Sequence, residues 1–88
     1  GTIENAYTIS NGEYEVIEAE IIESSELINK EIKNSNLPEE SRIGAVLRDK
    51  KIIIPRSNFI FKKDDRVVFI VKKDSISFVE NIFRLSSV

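Results

Sequence analysis

Three strand-forming segments follow one another between Arg42 and Lys73, and they constrain the fold more than any other part of the sequence. Short polar runs separate the segments, which are residues 42–48, 52–55 and 66–71. β-branched and aromatic side chains dominate them, as is usual in pleated, buried strands. In the third segment, apolar residues fall on both faces. We therefore expect this strand to be covered on both sides, inside a larger sheet.

The N-terminal part of the chain predicts a β-hairpin with strands at residues 2–9 and 13–22. Asn11-Gly12 between them is a strong two-residue turn signal, because both residue types tolerate positive φ. The second strand alternates apolar and acidic side chains, which predicts one buried face and one acidic, solvated face. The alternating residues are Ile17, Glu18, Ala19, Glu20 and Ile21.

Two helices are predicted. The first covers residues 25–34: a serine can cap its start, and Pro38 prevents it from continuing. The second is capped by Asp74 or Ser75, and its apolar stripe consists of Ile76, Val79, Ile82 and Phe83, with Phe78 on the flank. Between the second and third strands of the central block, Phe59 and Phe61, or Ile60 alone, must pack under the sheet edge.

The order β–β–α–β–β–β–α, with hairpins joining the last three strands, predicts a small α+β domain with a mostly antiparallel sheet and two helices. The whole chain, residues 1–88, is expected to be one domain cut from a longer protein. Two short helices cannot hide both apolar faces of the third strand, where Val68 and Ile70 lie opposite Val67 and Phe69. A two-fold homodimer is therefore expected.

Composition excludes several function classes. The chain has no cysteine and no histidine, which removes disulfides, the usual zinc ligand sets and serine–histidine or cysteine–histidine catalysis. Its three glycines lie too far apart for a phosphate-binding loop. We therefore expect no catalytic residue, no metal ligand and no enzymatic activity.

Charge and hydropathy restrict the partners and the location. The formal net charge of −2 argues against a nucleic-acid partner, which would favour a basic surface. No apolar run approaches the roughly 20 residues that span a bilayer, and no secretory signal is visible. The chain is therefore expected to be cytoplasmic.

Three arginines, Arg42, Arg48 and Arg56, are candidates for binding a phosphate or carboxylate, since a guanidinium can bond both oxygens at once. Pro55 fixes the backbone before Arg56. The alternative is that each arginine is solvated or salt-bridged. Gly44 inside a strand indicates either a close ligand or backbone approach, or a helix side chain packed over it.

The carboxylate pairs carry less information. Glu18 and Glu20 share the solvated face of a strand, and we expect them to be surface residues with no catalytic or metal-binding role. The Asp64-Asp65 pair is expected to shape a turn.

Several short motifs, taken in order, resemble the TrkA-C, or RCK C-terminal, domains of the family that controls potassium uptake and conductance. The motifs are Glu15–Ile21, Ser24–Leu37, Ile43–Asp49, Ile53–Arg56 and Asp65–Val68. The likeness covers about residues 13–84. The family commonly has glycine where this chain has Lys50, Ser57 and Asp64. Lysine and aspartate can adopt such turns at some conformational cost, so the fold is expected to be the same.

The resemblance implies a regulatory domain in a cytoplasmic assembly that serves a membrane potassium channel or transporter subunit, and thus a role in cation transport. It also implies a two-fold dimer. In some relatives the dimer interface binds cyclic di-AMP, a small nucleotide ligand. In this sequence, the resemblance implies that the corresponding ligand site consists of Arg42, Ile43, Ile54, Pro55 and Arg56. The alternative is a purely structural dimerisation module without a ligand, which would show a filled seam at Pro55 rather than a walled pocket.

Overall fold

The computed structural model describes the backbone of residues 3–83 and the side chains of residues 11–82. It has five strands and one helix: β1 (Ile3–Ile9), β2 (Tyr14–Glu20), β3 (Arg42–Arg48), β4 (Lys51–Ile53), β5 (Arg66–Lys72) and α1 (Ile76–Phe83). Short 3-10 turns lie at Ser10–Gly12, Ile32–Asn34 and Lys73–Ser75. The strands form one antiparallel sheet in the order β1-β2-β5-β3-β4. The predicted small α+β class is confirmed.

The N-terminal hairpin is confirmed within the described residues. β1 and β2 pair from Ile9 and Tyr14 outwards. Asn11 has a φ of 57° and Gly12 a φ of 90°, so both turn residues adopt the positive values that their types tolerate. Thr2, the predicted first strand residue, lies outside the described range.

β5 lies at the centre of the sheet, between β2 and β3, and pairs with β2 along its full length. The predicted hairpin between β4 and β5 is therefore wrong. Val67, Phe69 and Val71 are at most 1% exposed, so the central position buries the most apolar strand.

The prediction that β5 is covered on both faces is wrong for a single chain. Ile70, on the opposite face, is 39% exposed. The physical reason is that α1, the only helix in the described residues, packs through Val79 and Ile82 on the face that carries Phe69.

The predicted helix over residues 25–34 is wrong. Asn29 has a φ of 62°, which an α-helix does not accommodate. The backbone N–H groups of Asn29, Ile32 and Lys33 donate to carbonyl groups in residues 57–61 instead of to the preceding turn. These bonds, 2.9 to 3.0 Å long, replace the intrahelical ladder, so the segment consists of turns and one 3-10 turn.

Phe61 is fully buried and Phe59 packs on the core, with the two ring centroids 5.8 Å apart and edge to face. The prediction that these two rings pack under the sheet is confirmed, while Ile60 remains 41% exposed. Eleven apolar residues form the buried core: Ile17, Ala19, Ile21, Leu27, Val46, Phe61, Val67, Phe69, Val71, Val79 and Ile82.

The last helix forms as predicted, and Phe78 is 51% exposed on its flank. The side chain of Phe83, predicted in the apolar stripe, lies outside the described residues. The buried hydroxyl of Ser25 donates to the carbonyl of Ile82 at 3.0 Å and accepts from the N–H of Leu27 at 3.1 Å. Ser25 thus satisfies a carbonyl in the last turn of α1, where helices lack internal donors.

The turn between β3 and β4 consists of Asp49 and Lys50, with φ values of 51° and 66°, as in the tight hairpins that favour glycine. Asp64, with a φ of 73°, holds a similar left-handed position before β5. Lysine and aspartate therefore adopt these turns as expected. Ser57 does not have a positive φ.

The variant Lys50→Gly is expected to raise the free energy of unfolding by about 1 kcal/mol, because a side chain in the left-handed region costs about 1–2 kcal/mol and the added chain entropy of glycine offsets part of that. Urea unfolding followed by circular dichroism measures this difference. Ser57→Gly is the matched control and is expected to lower the same quantity by up to about 1 kcal/mol. Equal changes in both variants would contradict the prediction.

Candidate functional site

Arg42 begins β3, and its exposed side chain is held by its own loop. Nη1 donates to the carbonyls of Glu39 and Ser41, both at 2.7 Å. The hydroxyl of Ser41 in turn donates to the carbonyl of Pro38 at 2.6 Å. These bonds fix the direction of the guanidinium group while using only one of its three nitrogens, which leaves the other donors for a ligand.

A cleft of about 230 Å³ lies beside Arg42, with walls formed by Ile32, Ser35, Leu37, Pro38, Ser41, Arg42 and Ile43. The lining is mainly apolar, and both serine hydroxyls already donate to backbone carbonyls. Two of the five predicted site residues, Arg42 and Ile43, therefore share one cleft. Ile54, Pro55 and Arg56 are not part of its wall.

The other three predicted residues directly follow β4, whose last pair joins Val46 of β3 to Ile53. Pro55 has no N–H to extend the ladder. Ile54 is 73% exposed, and Arg56 is exposed with no side-chain hydrogen bond or ion pair to the described residues. Because the strands are antiparallel, the chain after Ile53 runs back along β3 towards the end that carries Arg42. The two sets of predicted site residues, those at the start of β3 and those after β4, therefore lie near the same edge of the sheet.

Gly44 lies at a β-bulge, where the pairing of β3 with β5 shifts between Ile43 and Ala45. A Cβ atom at Gly44 would lie 3.6 Å from the carbonyl oxygen of Val68, an ordinary contact, and the residue is exposed. The alternative that a helix side chain packs over Gly44 is therefore wrong. The bulge accounts for an unpaired residue at this position.

The sheet face turned away from α1 is called the outer face here. Its described residues are Tyr14, Val16, Glu18, Glu20, Arg42, Ala45, Leu47, Ile52, Arg66, Val68, Ile70 and Lys72, with Ile54 directly beyond β4. Ile52 and Ile54 are more than 70% exposed. Two predicted site residues, Arg42 and Ile54, thus belong to the outer face.

Ion pairs occur at both ends of the outer face. Nη1 of Arg66 lies 3.0 Å from Oε2 of Glu18, and Nζ of Lys72 lies 3.4 Å from Oε2 of Glu40. Glu40 raises the pKa of the Lys72 ammonium through its charge and its hydrogen bond. The prediction of a solvated Glu18 is wrong in part, because its side chain is only 22% exposed and paired. Among the described residues, no three acidic side chains could hold a metal ion together.

Arg48, the third candidate, forms an internal ion pair. Nε donates to Oδ1 of Asp65 at 2.7 Å and Nη2 to Oδ2 at 2.6 Å, while Nη2 also reaches the carbonyl of Ile60. The guanidinium carbon lies 4.7 Å from the centroid of the Phe59 ring. Hydrogen bonding to Asp65 raises the pKa of Arg48. Of the two alternatives for Arg48, ligand binding or a salt bridge, the structure therefore shows the salt bridge. Its paired donors Nε and Nη2 are already bonded to Asp65.

Asp65 is 1% exposed and also accepts the backbone N–H of Lys62 at 2.8 Å. The prediction that the Asp64-Asp65 pair only shapes a turn is therefore incomplete. Asp64 is the turn residue, and Asp65 is a buried charge. Arg48 and Asp65 are 17 positions apart in the sequence, and no local pattern marks them as partners.

Within residues 3–83, no helix is long and apolar enough to cross a membrane.

The TrkA-C domain family matches residues 16–84, which include most of β2 and all of β3, β4, β5 and α1 and make up most of the chain. This chain belongs to the TrkA-C domain family. Its order of elements therefore represents a TrkA-C domain, as the resemblance of its motifs predicts.

Curated relatives with this domain include the Trk system potassium uptake protein TrkA of Azorhizobium caulinodans, 35% identical over 86 residues. The match covers 98% of this chain and 19% of that protein. The Trk system potassium uptake protein TrkA of Halomonas elongata is 32% identical over 89 residues, covering 97% of this chain and 20% of that protein. The chain thus spans about a fifth of the length of these relatives.

Two solved structures share the fold. The RCK_C domain dimer of S. agalactiae BusR in complex with c-di-AMP has a TM-score of 0.68 and 24% identity, over 78% of this chain and 95% of that chain. S. agalactiae BusR in complex with its busAB-promotor DNA has a TM-score of 0.67 and 24% identity, over 77% of this chain and 35% of that chain. The TrkA-C domain described here therefore has the RCK_C fold.

The variant Asp65→Ala is expected to lower the free energy of unfolding by about 2–4 kcal/mol, because it leaves Arg48 and the N–H of Lys62 without their acceptor. Urea unfolding measures the change. Asp64→Asn is the matched control: it keeps a residue that tolerates positive φ at an exposed site, and we expect a change within about 0.5 kcal/mol. Similar small losses in both variants would show that the Arg48–Asp65 pair contributes little.

Proposed function

We propose that this TrkA-C domain is a cytoplasmic regulatory and dimerisation domain of a potassium uptake system, and that it senses a small anionic ligand where two copies meet. Nearly the whole chain matches curated proteins named for Trk potassium uptake. The larger parts of those proteins lie outside the match, so the partner is proposed here by class: a membrane potassium channel or transporter subunit.

The observation that carries the ligand proposal is an exposed apolar surface beside arginines with unused donors. Ile54 and Pro55 offer an apolar wall for a base, and Ile43 lies in the neighbouring cleft. Arg56 has no described partner, and Arg42 uses only Nη1 on the protein. Guanidinium groups in such a position can form charge-assisted bonds to phosphate oxygens.

A cyclic dinucleotide such as cyclic di-AMP is the ligand we propose. The RCK_C dimer of BusR that shares this fold is in complex with c-di-AMP. A ligand with two equivalent phosphates matches a two-fold seam, since symmetry would supply Arg42 and Arg56 twice.

Nucleic acid is not proposed as a partner of this domain. BusR is seen with promotor DNA, but the match covers only 35% of that BusR chain. The net charge of −2 on the present chain would oppose binding to a phosphate backbone.

A structural dimerisation module without a ligand is the second candidate. It is favoured by the two carbonyls that already hold Arg42, because a ligand would have to use the remaining donors or displace these bonds. The two candidates differ in one measurable property, the affinity of the dimer for anions.

Calorimetric titration with cyclic di-AMP is expected to show binding to the wild-type chain with a micromolar or lower Kd. Arg56→Ala and Arg42→Ala are each expected to weaken binding by roughly 3–6 kcal/mol, because each charge-assisted bond contributes roughly 1.5–3 kcal/mol and occurs twice in a dimer. ATP and NADH are the comparison ligands.

Lys51→Ala is the matched control for that titration, since it removes an exposed cation from β4 outside the five proposed residues. Its affinity should equal that of the wild type. If no anion binds the wild type below about 1 mM, or if both arginine variants bind like the wild type, the structural module is the better description.

We also propose that the domain has no catalytic activity, since it lacks histidine, cysteine and a glycine-rich phosphate loop. Cyclic di-AMP and ATP incubated with the chain are expected to remain intact when followed by chromatography. Turnover that a single substitution abolishes would contradict this proposal.

A further inference from the structure

One edge of the sheet is formed by β1, and its outward side pairs with no other strand among the residues that the structure describes. β1 pairs with β2 on its other side, and that pairing is regular from Asn5 to Ile9. In an edge strand, every second residue directs both its N–H and its C=O away from the sheet. Such a row of backbone groups can pair with an extended segment of another chain.

β1 lacks most of the features that protect edge strands against such pairing. It has seven residues and contains no proline, lysine or arginine. Its one irregularity is a shift of register between Ile3 and Asn5, after which five consecutive pairs with β2 are intact. β4, at the opposite edge, has three residues and begins with a lysine. β1 is therefore the edge that is better suited to strand addition.

The hairpin that carries this edge is strongly acidic. Residues 1–29 contain none of the 13 lysine and arginine residues of the chain, and five acidic residues lie on or beside β1 and β2: Glu4, Glu13, Glu15, Glu18 and Glu20. Even with Arg66 of β5, which pairs with Glu18, the formal net charge of this group is −4. Adjacent strands lie about 4.8 Å apart, so a strand added to β1 would lie about 10 Å from β2, within the range of these charges at low salt.

We propose that the β1 edge binds an extended segment of the membrane subunit, rich in lysine and arginine, which adds to the sheet as a sixth strand. Backbone hydrogen bonds to β1 provide the affinity, and the acidic hairpin selects a basic segment. Cytoplasmic loops of membrane proteins carry an excess of lysine and arginine, so that subunit offers segments of the required charge. The inference rests on the proposed function, in which this domain serves a membrane potassium channel or transporter subunit, and it defines the surface that contacts that subunit.

Other occupants fit this edge less well. Pairing β1 with the β1 of another copy would place two acidic hairpins side by side, and like charges on adjacent strands are unfavourable. The β4 strand of another copy could pair through only three residues. Anionic lipid surfaces and nucleic acid are repelled by the same charge. A basic extended polypeptide is thus the occupant that the edge and the charge together favour.

Amide hydrogen exchange of the 88-residue chain, measured by NMR, tests the surface. The probe is a synthetic seven-residue peptide that alternates lysine with threonine, and the same peptide with glutamate in place of lysine is its control. The lysine peptide is expected to slow the exchange of alternate amides between Asn5 and Ile9 about 10-fold or more and to leave the amides of β4 unchanged. Protection at β4 instead of β1, or equal protection by both peptides, would overturn the proposal.

The role of the acidic hairpin has its own variants. Glu13→Lys is expected to weaken binding of the lysine peptide about 3- to 10-fold at low salt, because it reverses a charge beside the β1 edge. Glu80→Lys is the matched control, since Glu80 is an exposed acidic residue on α1, and it should bind the peptide like the wild type. Equal losses in both variants would show that overall charge alone attracts the peptide, which would contradict a site at β1.

Ala6→Pro and Tyr7→Pro test the backbone contact. Neighbouring N–H groups of a strand point to opposite sides, so one of these variants loses an outward donor and keeps the hairpin, while the other loses a bond to β2. The variant that keeps the wild-type circular dichroism spectrum is expected to bind the lysine peptide about 10-fold or more weakly. Wild-type affinity in that folded variant would overturn strand addition at β1.

Overlapping synthetic peptides from the cytoplasmic segments of the membrane subunit of a Trk potassium uptake system test the source. Binding confined to the lysine- and arginine-rich peptides, with protection at β1, supports the proposal. If none of them binds while the lysine peptide does, the membrane subunit is the wrong partner. Protection of β1 that rises with protein concentration in the absence of peptide would assign this edge to a second copy and overturn the proposal. Because none of these measurements involves cyclic di-AMP, their failure beside intact binding of that ligand would overturn this inference alone.

Discussion

The ion pair between Arg48 and Asp65 joins three parts of the chain that are distant in sequence. It links the last residue of β3 to the turn before β5, and the same guanidinium also donates to the carbonyl of Ile60 in the segment between β4 and β5. The backbone of Asp65 also accepts from the N–H of Ile21, just after β2. Because the carboxylate is buried and fully bonded, it contributes to the position of β5 between β2 and β3, on which the outer face depends.

The sequence correctly predicted the strands and the turn that depend on short-range periodicity and on residue types that favour turns. Alternation predicted β2, β3 and β5, and the Asn11-Gly12 pair predicted the first hairpin. The sequence did not predict the order of the strands or the loss of the helix over residues 25–34. Both follow from hydrogen bonds between distant segments, such as that from Lys33 to Ser57, which local propensity does not encode.

In the candidate site, too, the sequence predicted some features and missed those that depend on contacts between distant segments. Resemblance to the family predicted five ligand-binding residues. The structure places two of them, Arg42 and Ile43, in one cleft and the other three after β4. Sequence reasoning treated Arg48 as equivalent to Arg42 and Arg56, although its donors are used internally. The difference arises from burial of Asp65, a long-range property.

β4 and the proline that follows it have a consequence for the way copies of this chain can aggregate. The strand has three residues, begins with Lys51, and is followed after Ile54 by Pro55, so this border of the sheet offers few free N–H groups to an incoming strand. Copies therefore cannot readily add to this border one after another as an extended ribbon. Growth of open-ended fibrils by strand addition at β4 is disfavoured.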